Sequence, residues 1–178
     1  MTLYQIASAT STAVVEARSS MGPVVFEAVG LEGEIEVTVV DGAVDLAEPV
    51  SASIRVPMRN LRSGNDLFDG ELARRIESRI HPWTTLSLDA AEPQGPGSYR
   101  LSGSMEFHGV LRTVTGAIDI ERADDERIVV VGERTFDIRD FHVPAPTMLM
   151  LKIFPEVRVA LLAEALRSDP GVGTVGDV

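Results

Sequence analysis

The side chains of this sequence that could do chemistry are few and scattered. Three histidines, His81, His108 and His142, lie far apart and share no HxH or HxxxH spacing of the kind that seats a metal. They read as turn and surface residues. The chain has no cysteine, which removes disulfides, thiolate nucleophiles and zinc–thiolate sites together. GxSxG, GxxxxGK[ST] and GxGxxG are all absent. The acidic triplets Glu32-Gly33-Glu34 and Asp124-Asp125-Glu126 read as solvated turns. One asymmetry stands out in an acidic chain: Arg55, Arg59, Arg62, Arg74, Arg75 and Arg79 fall close together. Guanidinium groups beside an apolar cavity hold an anionic head group. The plainer reading, that they sit on helix and loop surface paired with local acids, is the better supported. No stretch supplies a nucleophile, its base and an oxyanion hole.

A further arginine is set apart by its position. Tyr99 to Ile120 forms two alternating runs joined by His108-Gly109. Tyr99, Leu101, Gly103, Met105 and Phe107 share one face, and Arg100, Ser102, Ser104 and Glu106 the other, the period-two pattern of a strand with one dry side. Val110, Val114, Ile118 and Ile120 continue the dry face. A two-residue X-Gly loop needs positive φ at both positions, so it predicts a tight hairpin. That turn pairs Phe107 with Val110 and Met105 with Arg112, making Arg112 the one charge on an apolar face. A carboxylate such as Glu106 is its expected structural partner, and a ligand head group at a barrel mouth the alternative.

The rest of the chain shows what positions these groups. Its 178 residues, 44% hydrophobic and 24% charged, suit one globular domain. A net charge of −11 repels nucleic acid and anionic membrane surfaces. No run approaches the ~20 apolar residues of a membrane span, and the first ten residues lack a signal pattern, so the expected compartment is cytoplasmic. Glu34 to Val40 and Val50 to Val56 alternate cleanly, with Asp41-Gly42 as a hairpin signal between them. Thr12 to Arg18, Val24 to Val29, Trp83 to Leu88, Arg127 to Phe136 and Glu156 to Ala163 add further strands, and AEPQGPG (91–97) reads as a loop. One amphipathic helix is expected over about residues 67–80, where Phe68, Leu72, Ile76 and Ile80 recur every four residues, capped by Asp66 or Asp69 and stopped by His81-Pro82. Eight or nine strands at this spacing predict an all-β sandwich or barrel with one inserted helix. Eight strands enclose just enough space for side chains or one small ligand. Only nine aromatic residues and many small inward candidates argue for a partly hollow interior. The domain is expected over residues 1–167, with a disordered tail over 168–178.

Three stretches resemble the YceI-like family of lipocalin-like, polyisoprenoid-binding barrels. Leu61-Arg62-Ser63-Gly64-Asn65, through Asp69 and Leu72, to His81-Pro82-Trp83-Thr84-Thr85-Leu86 is similar to that family's SIDTGN…D..L…YP.ITF segment. Gly103 to Val110 with Arg112-Thr113-Val114-Thr115 resembles G.LTLHGVTRPVTL, and Ile138-Arg139-Asp140-Phe141 resembles the NRSDFG strand start. The chain departs from the pattern early, where a HS.V.F…HLG run is at best reduced to Ser19-Ser20-Met21-Gly22, and at His142, where relatives carry Gly. The resemblance covers residues 4–165.

It implies an eight-stranded antiparallel lipocalin-like barrel and a non-enzymatic binder of a long apolar ligand, such as an isoprenoid quinone, a polyprenyl lipid or a fatty amide, with no cofactor. Face and residue type then nominate Phe26, Ile54, Phe68, Leu72, Trp83, Met105, Phe107, Val114 and Phe136 as chain-binding residues and Arg112 for a polar head. A second reading is a solid barrel acting as a protein-interaction or stress-response module, with MLMLKIFP (148–155) as a homodimer interface. A third is an enzyme with a site at the barrel mouth around His108 and His142.

Overall fold

The computed structural model describes residues 1–145, 147, 148 and 150–168; the tail expected beyond Ser168 lies outside them. Strands dominate. β1 (Thr2–Ile6), β2 (Thr12–Ser19), β3 (Gly22–Val29) and β4 (Glu32–Val37) lead into the small hairpin β5 (Val39–Val40) and β6 (Ala43–Val44), then β7 (Ser51–Pro57). After the helix α1 (Asp66–Arg75) come β8 (Trp83–Gly95), β9 (Ser98–Phe107), β10 (Val110–Ala123), β11 (Arg127–Asp137), β12 (Thr147–Met148) and β13 (Leu151–Arg167). The order β1-β4-β7-β8-β9-β10-β11-β13, with β1 pairing back onto β13, closes an eight-stranded antiparallel barrel. β13 is long enough to serve both halves. It pairs with β1 near Arg167 and with β2 over Ile153–Leu162. The β2–β3 hairpin therefore takes the place of β1 and β4 in the lower half. Its outer edge is fastened by the Glu27–Arg62 bridge and by Asn60 Nδ2 donating to the Val29 carbonyl at 2.7 Å.

Alternation puts apolar side chains inside along every strand. At the upper end Tyr4, Ile6, Leu31, Ile35, Val37, Ile54 and Ile128 form one cluster, capped by Val39 and Val44 of the β5–β6 hairpin. Tyr4 is 1% exposed, and its hydroxyl donates to the Asp124 carbonyl at 3.0 Å. At the lower end Phe26, Met58, Leu61, Ile76 and Ile153 form a second cluster, against which Phe68 and Leu72 of α1 pack.

The helix is shorter than its apolar spacing implies. Asn65, not Asp66 or Asp69, is the N-cap: its Oδ1 accepts from the Leu67 and Phe68 amides. Asp69 is instead buried, accepting from the amide and hydroxyl of Ser63, both at 2.7 Å. The helix ends at Arg75 because Glu77 takes a left-handed φ of +50°, so Ile80, 69% exposed, leaves the apolar stripe. β8 runs to Gly95 through most of the expected loop, and β13 begins at Leu151, before the expected Glu156. No helix among the described residues is long and apolar enough to cross a membrane.

Candidate ligand cavity

The β9–β10 hairpin has the expected geometry. His108 and Gly109 take φ of +54° and +72°, and the ladder pairs Phe107 with Val110 and Met105 with Arg112. Glycine is required at 109 for a second reason, since a Cβ there would meet the His81 ring. The imidazole of His108 does more than turn the chain. Nδ1 lies 3.0 Å from the Phe141 carbonyl and Nε2 lies 2.9 Å from a Glu77 carboxylate oxygen. Both partners are acceptors, so the ring nitrogen that carries the hydrogen donates to one of them. His81 meets His108 edge to face with centroids 5.5 Å apart. This cluster ties the hairpin to the end of α1 and to the 3-10 turn Ile138–Phe141, the two pieces that cover the lower end of the barrel.

Beneath this cover lies an apolar cavity of about 170 Å³. Its wall comes from Ala13, Val15 and Ala17 on β2, Phe26 on β3, Met105 and Phe107 on β9, Phe136 on β11 and Val157 and Val159 on β13. Leu72 and Ile76 of α1 and Phe141 of the 3-10 turn close it from below. Among the lining side chains only Arg75 and Thr84 are polar. A second, smaller cavity of about 100 Å³ lies in the upper half, between Ile54, Leu86, Leu101 and Val130. Small inward residues of β2 contribute to the larger hollow: Ala13 and Ala17 both line its wall.

Of the nominated residues, the structure brings Phe26, Leu72, Met105, Phe107 and Phe136 together around the lower cavity. Ile54 lines the upper one, and Phe68 packs behind the lower cluster. Val114 is buried beside Gly103 but is not in the cavity wall. Trp83 faces outward, with the Arg55 guanidinium 4.5 Å from its ring centroid, because its neighbour Thr84 takes the inward place. Arg112 stands on the inward register at the rim but is not paired with Glu106, which lies on the opposite face; its Nε donates to the Asp140 carbonyl at 3.0 Å. In the arginine cluster Arg74 and Arg75 share Glu71, Arg55 pairs with Glu32, and Arg62 lies 3.9 Å from Asp69. The two guanidinium groups hold the Glu71 carboxyl below the usual carboxylate range. Among the described residues of the MLMLKIFP segment, Ile153 turns into the lower cluster while Met150 and Phe154 face out; Leu149 lies outside them.

The sequence reading missed the β2 contribution. Val14, an outward apolar residue, hides the alternation of Ala13, Val15 and Ala17. Ile138, Phe141 and Val143 were also missed, because a 3-10 turn carries no period-two signal.

The fold has relatives among solved structures. BcnA of Burkholderia cenocepacia superposes with a TM-score of 0.76 at 15% identity, covering 89% of this chain and 98% of that one. A polyisoprenoid-binding domain from Saccharophagus degradans, implicated in plant cell wall breakdown, gives 0.74 at 13% identity, covering 94% and 100%. The Campylobacter jejuni YCEI protein gives 0.59 at 13% identity, covering 76% and 85%. No curated protein matches the chain by sequence. The sequence model of the YceI-like domain matches residues 4–165, nearly the whole described barrel, and the chain belongs to the YceI-like family.

Proposed function

We propose that this protein binds a long apolar molecule non-enzymatically, with the chain of the ligand lying in the lower half of the barrel. The observation that carries this reading is the cavity itself. Protein interiors are packed nearly as densely as organic crystals. An apolar void of about 170 Å³ costs on the order of 4 kcal/mol at ~24 cal/mol per Å³ relative to a filled core. A ligand offsets that cost and adds roughly 0.8 kcal/mol per buried CH₂. The void is close to the ~150 Å³ that holds benzene in an engineered core, so it takes one segment of a chain, not all of it. Met58 and Met105 in the wall give the adaptability a longer chain requires.

Phe26, Leu72, Met105, Phe107 and Phe136 hold the chain in this reading, with Ile54 and the upper cavity taking its end. Arg112 at the rim meets the polar head. An isoprenoid quinone, a polyprenyl lipid or a fatty amide has the required shape, and the polyisoprenoid-binding domain of Saccharophagus degradans, similar in fold, supports the first two. Organic extracts of the purified protein, read by mass spectrometry, test the reading. A recurring apolar compound near one per chain is expected. Extracts with no such compound, together with a crystal structure whose lower cavity is filled by side chains, would end it.

A further inference from the structure

In the lower half the barrel wall opens between β10 and β11. β10 and β11 are paired from Ala123–Ile128 down to Ile118–Gly132, and there the ladder stops. Below it β10 stays on β9 as far as Val110, and β11 stays on β13 as far as Asp137, but the two no longer bond to each other. The lower boundary of the resulting slit is the bond from Arg112 to the Asp140 carbonyl. Phe136, on the same face of β11 as Arg134, lines the cavity.

Arg134 occupies this slit. Its ladder partner Val159 is a cavity residue, so Arg134 stands on the inward face of β11. Its guanidinium lies 5.0 Å from the Phe136 ring centroid, and Nη1 donates to the Thr115 carbonyl, replacing a ladder bond the slit lacks. Eight arginines of the chain sit against a carboxylate: Arg55, Arg62, Arg74, Arg75, Arg122, Arg127, Arg139 and Arg158. The others are exposed, apart from Arg134. Arg134 is the one half-buried arginine with no carboxylate within 4.0 Å among the described residues. A partly desolvated charge without a counter-ion is costly, and an anion removes that cost. Arg112, at the lower edge of the slit, also lacks a carboxylate and spends only Nε and Nη1 on backbone carbonyls.

We propose that the slit between β10 and β11 is the head-group site for an amphiphile with an anionic head, a carboxylate or a phosphate, held by Arg134 and Arg112 while its chain lies in the lower cavity. This rests on the binding reading above and narrows its ligand class. Guanidinium groups suit both anions because their N–H donors form a planar fork. The net charge of −11 does not oppose it strongly, since charges farther than about 8 Å are screened at physiological ionic strength.

Matched probes test it on the whole protein: palmitate against hexadecanol, and farnesyl phosphate against farnesol, by calorimetric titration at low and high salt. At least one anionic member is expected to bind about tenfold or more tighter than its alcohol, with the advantage shrinking in salt. The stronger pair identifies carboxylate or phosphate. Arg134→Gln should abolish the preference of the anionic probe over its alcohol. Should Arg134→Gln fail to fold, Arg112→Gln at the rim should reduce the preference severalfold. Alcohols and acids binding equally would overturn the head-group site and leave the chain-binding reading standing. No binding by any of the four probes would remove both.

Discussion

The two halves of the barrel are built from the same alternating strands and filled differently. In the upper half Tyr4, Ile6, Leu31, Ile35 and Ile128 meet across the axis, and the small hairpin β5–β6 covers the end. In the lower half Val15 and Ala17 of β2 and Val157 of β13 border an open cavity, and the end is covered by a ten-residue helix and a 3-10 turn. The larger void and the break between β10 and β11 both fall in this half. The upper half, with the smaller cavity, is expected to carry more of the stability, and the lower half more of the room for a guest. The helix itself is a weak element, with Gly70 in its middle, and depends on Leu72 and Ile76 for its place.

The sharpest test of this contrast is truncation in the upper half. Ile128, 1% exposed, should lose about 2–5 kcal/mol of stability on replacement by Ala, measured by urea denaturation. A loss below 1 kcal/mol would mean that the upper half is no better packed than the lower. Enlarging one small residue in each half probes the same point from the other side. Ala165→Leu, at a fully buried position of the upper cluster, should cost about 1–3 kcal/mol through overpacking. Ala17→Leu fills lower-cavity space and should cost less than Ala165→Leu or even stabilise. Equal costs at the two sites would erase the difference.

His108→Asn comes next. Asn-Gly suits the turn, yet the change breaks the links to Phe141 and Glu77, so a loss of about 1–3 kcal/mol is expected, with earlier hydrogen exchange at the end of α1 than in the upper strands. An unchanged denaturation midpoint would show that the cover is held by other contacts. The smallest effect is electrostatic. A hydrogen bond from Arg158 holds the Glu133 carboxyl below its ordinary 4.5 and joins β11 to β13. Its stabilisation is therefore complete above pH 4.5 and fades as pH falls through the lower folded-state value. Glu133→Gln should shift the denaturation midpoint slightly at pH 7 and not at all once both states are protonated, and a shift that grows on acidification would contradict the assignment.

Much of this arrangement was legible in the residues. Met105 and Phe107 could be placed inside, and the Met105–Arg112 pair read correctly, because the register of a two-residue hairpin is set by its turn and strand alternation has a fixed period. What could not be read depended on contacts between distant segments. Trp83 was nominated from face and residue type, but β8 places Thr84 inward, and strand phase decides over hydrophobicity. The helix end turned on the left-handed backbone of Glu77, which the Ile80 spacing conceals. The partner of Arg112 is a backbone carbonyl in a 3-10 turn, and a carbonyl leaves no mark in the residue type. The slit beside Arg134 has no local signature either, since it is a place where two strands with ordinary alternation stop pairing.

On the proposed reading the lower half of the barrel holds most of the guest and the upper half does more to hold the fold together. The most direct measurement is titration of a fluorescent polyene-chain probe into the wild-type protein and the Ala17→Leu variant, with folding of both checked by thermal melting. Saturable binding near one probe per chain in the wild type, lost in a folded Ala17→Leu, is the predicted result. Equal binding by both proteins, or none by the wild type, would contradict it.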